Sequence, residues 1–265
     1  MEPDGDAVGA ITARRSVRTF EDRPLLSRQL EVLQRCVTYI NSIAPTHLSA
    51  SVRTSDPSNR NFRPSTYGVI KNAAAYMIMA FDMQDTEMAI AAGAAMQRCV
   101  ITATEHGIGT CWISGTFKAA SFAEGVVIPL GAKINVVVAC GIIADRPRLF
   151  ERIERAIVRA SSRKPMAELV KSQDEETLNK VKTALELMRL SPSSVNSQPW
   201  RVGVSNGRVD FFFKRKQDVN AVDIGIALAD FDLAAKQTGI AGKWIYQQPA
   251  AMAGQLEYAA SFLVD

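Results

Sequence analysis

At 265 residues the chain has room for one large domain or two of about 130, and its 47% apolar content is ample for a packed core. Thirty-one Lys and Arg against 27 Asp and Glu leave a net charge of +4, too mild to imply a nucleic-acid partner but compatible with an anionic small ligand. Cys36, Cys99, Cys111 and Cys140 lack CxxC spacing, so they read as reduced thiols and no metal site is expected. The acidic, core-less start "MEPDGDAVGA" and the interruption of "VVIPLGAKINVVVACGII" by Pro129, Gly131 and Lys133 predict neither a leader nor a membrane span, hence a soluble, cytoplasmic protein.

In chain order, residues 1–10 read as a frayed tail. "SRQLEVLQRCVTYINS" then places Leu30, Leu33, Val37 and Ile40 on one helical face behind a cap at Ser27. Residues 44–66 carry three prolines and no period, which predicts a long irregular connection. "AYMIMAF" is a buried strand, "TEMAIAAGAAMQRCVITATEHG" a helix closed at Gly107, "GIGTCWISG" a glycine-rich loop, and "INVVVACGII" a central strand. Two charged helical stretches follow, "ERIERAIVRASSRKP" and "QDEETLNKVKTALELMRLSP". "RVGVS" and "RVDFFF" then flank Asn206-Gly207, a hairpin signal. The order is α+β, without the alternation of a doubly wound fold.

The chain also matches itself. Shifted by 132 positions, Ala91–Trp112 meets Asp223–Trp244 without a gap: Gly93 meets Gly225, Gly107 meets Gly239, Ile108 meets Ile240 and Trp112 meets Trp244. The fixed spacing predicts an internal duplication, residues 11–150 forming one half and 151–265 the other, packed about a pseudo-two-fold axis.

Two polar clusters stand near opposite ends. In "RRSVRTF", Arg14, Arg15 and Arg18 supply fixed positive charge and Ser16 a hydroxyl, a set suited to a phosphate or another delocalised anion; a solvated basic turn is the plain alternative. In "SPSSVNSQPWR", Pro192 stops a helix and Ser193, Ser194, Asn196 and Gln198 occupy a constrained loop able to pair with the edge of a heterocycle, while Trp200 is expected to pack into the core. The glycines of "HGIGTCWISGTF" allow close backbone approach to a planar ring. His106 reads as a helix-end residue and His47 has no evident partner, so hydrolase triads lack a base.

Taken together, "RRSVRTF", "GIGTCWISG", "SSRKPMAELV" and "SPSSVNSQPW" resemble the nitroreductase family of FMN-dependent flavoproteins, and more narrowly its single-chain members with two fused half-domains. That resemblance implies a nitroreductase-like fold of sheets flanked by helices and a site shared between the halves. The arginines would come from the first half and the Ser-Asn-Gln loop from the second. It implies one FMN per chain, since "NRNFRPSTYG", the stretch 132 positions before "SPSSVNSQPW", keeps none of that pattern. By motif, Arg14 and Arg18 would face the ribityl chain and pyrimidine edge, Arg15 and Ser16 the phosphate, Ser114 and Gly115 flavin N5, and Ser193, Ser194, Asn196 and Gln198 the polar edge. Arg163 would hold the phosphate, with Ser161 standing where many members carry Lys. NADH or NADPH would give a hydride to N5 and a nitroaromatic, quinone or other electron-poor acceptor would remove it, with no catalytic side chain and no metal. The implied state is a monomer acting as its own pseudo-dimer, without nucleic acid or membrane. Two other readings stay open: a flavin store or sensor without turnover, and an anion- or nucleic-acid-binding protein without flavin, against which the lack of aromatic-interleaved basic runs speaks.

Overall fold

The computed structural model describes residues 5–44, 46–55, 62, 64–145, 162–249 and 255–265. Its elements are α1 (Ala7–Ala13), α2 (Ser27–Ile43), β1 (Ser49–Thr54), β2 (Ala75–Phe81), α3 (Thr86–Glu105), β3 (Gly109–Ile113), β4 (Lys133–Gly141), a helical turn α4 (Met166–Leu169), β5 (Val170–Ser172), α5 (Glu175–Met188), β6 (Trp200–Ser205), β7 (Arg208–Phe213), α6 (Val219–Gln237), β8 (Gly242–Ile245) and β9 (Glu257–Val264). This is an α+β arrangement with two sheets, ordered β1-β2-β4-β3 and β5-β6-β7-β9-β8. All pairings are antiparallel except β5 with β6.

The central strand β2 is buried along its whole length, and the packing shows why its sequence is uninterruptedly apolar. Ala75, Met77, Met79 and Phe81 point into the main core, while Tyr76, Ile78 and Ala80 join a second cluster with Val17, Phe20, Phe62 and Phe122 on the opposite face. A strand covered on both faces cannot alternate with polar residues.

Helices α3 and α6 pack on each other more extensively than any other pair of elements. Helix α6 is apolar almost all round and buried almost all round, as a helix at the centre of a core must be. Their approach is set by two glycines. A Cβ on Gly93 would lie 2.2 Å from the Val222 carbonyl oxygen, and one on Gly225 would lie 2.1 Å from the Ile90 carbonyl oxygen. The contact is reciprocal, because 90 and 222, like 93 and 225, are 132 positions apart. The strands follow suit: β6-β7-β9-β8 repeats the order and antiparallel sense of β1-β2-β4-β3.

Several expectations need correction. The supposed frayed tail contains α1, capped by Asp6, whose Oδ1 accepts the Gly9 N–H at 2.8 Å; three buried apolar residues, Ala7, Ala10 and Ile11, hold it down. Helix α2 begins at Ser27 with Leu26 in the cap position, and Gln29 Oε1 accepts the Leu26 N–H at 3.1 Å. The long connection 44–66 contains β1, whose weak "SASVRT" pattern is that of an edge strand paired only with β2. The glycine-rich "GIGTCWISG" contains β3, an edge strand of the first sheet. Strands β8 and β9 complete the second sheet. The helix expected over "ERIERAIVRASSRKP" falls largely outside the described residues, as does Ser161. Asn206 and Gly207, with φ of 49° and 71°, make the expected hairpin turn.

Among the described residues no helix is long and apolar enough to cross a membrane, and no cluster of His, Cys, Asp and Glu could hold a metal ion.

Candidate functional site

The segment after α1 runs beside β3 like a short extra strand. Ser16 forms a parallel bridge with Thr110, Val17 N–H donates to Thr110 O at 2.9 Å, and Lys71 N–H donates to Arg18 O at 2.9 Å. Val17 and Phe20 are buried in the second core cluster and act as anchors. Alternation about Val17 turns its neighbours Ser16 and Arg18 the other way, onto the wall of a cavity of about 300 Å³ that Arg14 also lines. Arg15 joins them at that wall.

The loop after α5 forms the opposite side. Ser193, Ser194, Val195 and Asn196 line the cavity. Three of the loop's residues, Val195, Asn196 and Gln198, have φ of 45°, 55° and 47°, a left-handed run that needs outside support. The support is visible: Ser194 N–H donates to Asp223 Oδ1 at 2.9 Å, Gln198 N–H to Ser193 Oγ at 2.9 Å, and Lys164 N–H to Gln198 Oε1 at 2.8 Å. Arg163 donates to Leu190 O at 3.0 Å and to Asn196 Oδ1 at 3.3 Å, so it ties the loop to the 162–164 segment as well as lining the cavity.

The structure therefore brings Arg14, Arg15, Ser16, Arg18, Ser114, Arg163, Ser193, Ser194 and Asn196 to one cavity, across 182 positions of sequence between Arg14 and Asn196. Gly115, φ 79°, and Gln198 are not among its lining residues; the Gln198 side chain is buried and turned into its own loop. Trp200 is fully buried in the core, and His106 ends α3 with Nδ1 2.9 Å from Thr102 O, both as expected.

Sequence reading missed the far wall. Val219, Val222, Asp223 and Ile226 of α6 line the cavity, with Val69, Thr116, Trp112 and Val136 from the first half. The available signal was that Asp223, Asp230 and Asp232 interrupt an otherwise apolar helix. A buried carboxylate there needs partners, and Asp223 has them in Ser194 and Asn220, the latter at 3.0 Å. Burial pushes its carboxyl up to about 6 despite those hydrogen bonds. Arg14 is lowered to about 10 by burial, partly opposed by Asp230, and stays cationic at neutral pH.

Chemically, four guanidinium groups face one carboxylate across the cavity, with hydroxyl and amide groups on the loop and valine and isoleucine side chains between them. That donor set fits a flat, partly apolar ligand carrying an anionic group, and FMN has this chemistry.

Comparison with known proteins agrees in kind. The model of a family described as "Putative TM nitroreductase" matches residues 6–235. The chain belongs to that family. A crystal structure described as a putative nitroreductase from Thermotoga maritima superposes with a TM-score of 0.63 at 18% identity, covering 100% of this chain and 94% of that one, which shows a shared fold. An FMN-dependent nitroreductase from Clostridium difficile, at 18% identity and a TM-score of 0.40, covers 53% of this chain and 90% of its own. A Bacteroides fragilis nitroreductase with bound FMN gives 18%, 0.39, 55% and 92%. No curated protein matches the chain.

Proposed function

We propose that the chain is an FMN-dependent NAD(P)H oxidoreductase that reduces nitroaromatics, quinones or a related electron-poor acceptor, working as a single-chain pseudo-dimer of residues 11–150 and 151–265. The carrying observation is the convergence of Arg14, Arg15, Ser16 and Arg18 from one end of the chain with Ser193, Ser194 and Asn196 from the other at a single cavity. No second chain is needed to bring these groups together. The matching strand orders and the reciprocal Gly93 and Gly225 contacts support duplication as the origin of the two halves.

In this reading Arg14 and Arg18 lie toward the pyrimidine edge and ribityl chain, and Arg15, Ser16 and Arg163 toward the phosphate. Ser193, Ser194 and Asn196 close the polar side, and Ser114 lies by the reactive edge with Gly115 behind it. Gln198 acts by holding the loop. FMN supplies hydride transfer through N5, from NADH or NADPH and on to the acceptor. Guanidinium charge at the pyrimidine edge favours the anionic reduced ligand, and the fixed loop and the α6 wall orient the ring and exclude water from one face. No side chain is required as nucleophile or general base.

The test is the visible spectrum of the protein supplied with FMN and followed anaerobically on adding NADH, then NADPH. Bound flavin that bleaches and regains its colour with a nitroaromatic or quinone is the expected result. Bound flavin that never bleaches would make the chain a flavin store or sensor, and no bound flavin would overturn the reading.

A further inference from the structure

The second sheet carries a groove on the face turned away from the main core. Along β6 and β7 that core takes Trp200, Val202, Val204, Phe211 and Phe213. Alternation turns Arg201, Gly203 and Phe212 outward, and register keeps them together: Arg201 pairs with Phe212, and Gly203 pairs with Lys171 of β5. These four line a cavity of about 690 Å³ that shares no lining residue with the site described above. Lys214, Arg215 and Lys216, in the turn from β7 to α6, complete its rim. The turn is fixed at both ends, since Lys214 N–H donates to Pro199 O at 3.0 Å and Lys216 N–H to Asn220 Oδ1 at 2.9 Å.

Five cationic side chains thus meet a single lining carboxylate, Glu168. Glu168 pairs with Lys164 at 2.9 Å and Arg201 at 3.2 Å, and Arg215 pairs with Glu257 at 2.7 Å and Asp218 at 3.8 Å. Asp210, on the same face of β7, is taken by Arg208 at 2.5 Å. Lys171, Lys214 and Lys216 have no ion pair or side-chain hydrogen bond among the described residues. The charge belongs to one half only: 132 positions earlier, in the matching turn between β2 and α3, stand Asp82, Met83 and Gln84. Gly203 adds a second, independent observation. Its φ is not left-handed, and a Cβ there would meet nothing nearer than 4.0 Å, so neither backbone nor packing calls for a glycine. A glycine inside a paired strand weakens it and marks a place of close approach. Here it leaves the floor bare beside the Phe212 ring, which packs edge-on against Tyr258 with centroids 5.9 Å apart.

We propose that this groove is a nucleotide site, taking a flat base on the bare floor at Gly203 beside Phe212 and a chain of two or more phosphates among Lys171, Lys214 and Lys216. Ammonium groups without partners supply charge-assisted hydrogen bonds to phosphate oxygens, and the cavity has the size and the mixture of apolar floor and polar rim of a small-molecule site. The site requires neither FMN nor the proposed reaction, and stands or falls separately from them.

The experiment titrates the full chain calorimetrically with magnesium-free ATP and, separately, with inorganic tripolyphosphate. Wild type is expected to bind ATP with a dissociation constant below about 1 mM, and more tightly than tripolyphosphate. Replacing the three exposed lysines together (K171A, K214A, K216A) should weaken both probes by about tenfold or more without lowering the melting temperature. Gly203→Ala should weaken ATP alone, and because its Cβ meets no clash the variant should melt no lower than wild type. Arg14→Ala, at the other cavity, should leave ATP binding unchanged. Absence of ATP binding, binding that survives loss of the three lysines, or binding lost in Arg14→Ala would each overturn the proposal. Tripolyphosphate that binds as tightly as ATP, with Gly203→Ala affecting neither, would overturn the assignment of the floor to a base. FMN binding and its bleaching by NADH or NADPH, measured on the same variants, test the functional reading apart from this one: the lysine variant should match wild type there.

Discussion

The two halves share a scaffold and differ in chemistry. In the first, the tryptophan after the central helix, Trp112, donates to the neutral Gln97, which passes the contact on to Asp230 beneath the cavity. In the second, the matching Trp244 donates at 2.8 Å to Asp232, a carboxylate already satisfied by Arg98 and Lys236. The start of α6 faces the cavity with Val219, Val222 and Asp223, whereas at the start of α3 Thr86 is occupied by Arg215, which donates to it at 2.7 Å and also pairs with Glu257. The strand order is repeated where it carries the core, and the side chains at the starts of α3 and α6 differ.

The comparison breaks most severely at the shared glycines. Because the atoms facing Gly93 and Gly225 are backbone on both sides, no side chain can move aside. Gly93→Ala and Gly225→Ala should each destabilise by about 3 kcal/mol or more, measured by urea unfolding. Comparable costs would confirm that the contact is reciprocal; a benign alanine at either position would show that the two helices can slide apart there.

Next in size is the difference between the two helix starts. Arg14→Ala removes a cation whose charged hydrogen bonds are worth about 1.5–3 kcal/mol, so FMN affinity should fall by roughly tenfold or more. Arg215→Ala, at the start of α3, should leave FMN affinity unchanged. Equal losses in the two variants would mean that the second half also carries a working site.

Much of this was legible in the residues. Gly93 and Gly225, Trp112 and Trp244, and the two helices they bracket stand at a fixed offset because the α3–α6 contact imposes the same steric demand twice. Long apolar runs such as "AYMIMAF" and "INVVVACGII" announced central strands. The strands at the sheet edges, β1, β3 and β8, were not read as strands, since an edge position tolerates the Ser, Arg, Gly and Lys that obscure its pattern. Both polar clusters of the site were legible as motifs, but the α6 wall was not. Val219, Val222 and Ile226 look like any core residues, and only the fold reveals that the core opens there.

The smallest effect concerns how the corresponding helices begin. Helix α2 starts without a side-chain cap on its first turn, whereas α5 starts from Asp174. The Asp174 carboxylate accepts from Thr177 N–H at 3.0 Å, from Thr177 Oγ1 at 2.6 Å and from Gly207 N–H at 3.0 Å, fastening the helix to the β6–β7 turn. These hydrogen bonds, the Thr177 hydroxyl foremost, lower its carboxyl to about 2. The sign follows from linkage: a carboxyl depressed in the folded state stabilises it above the unfolded value near 4, and that stability is lost as pH falls toward 2. Asp174→Ala should therefore lower the melting temperature at pH 7 and speed hydrogen exchange at the Thr177 amide, and the gap from wild type should narrow below pH 4. A gap that stays constant down to pH 2 would assign the cap's contribution to the shape of the turn rather than to its charge.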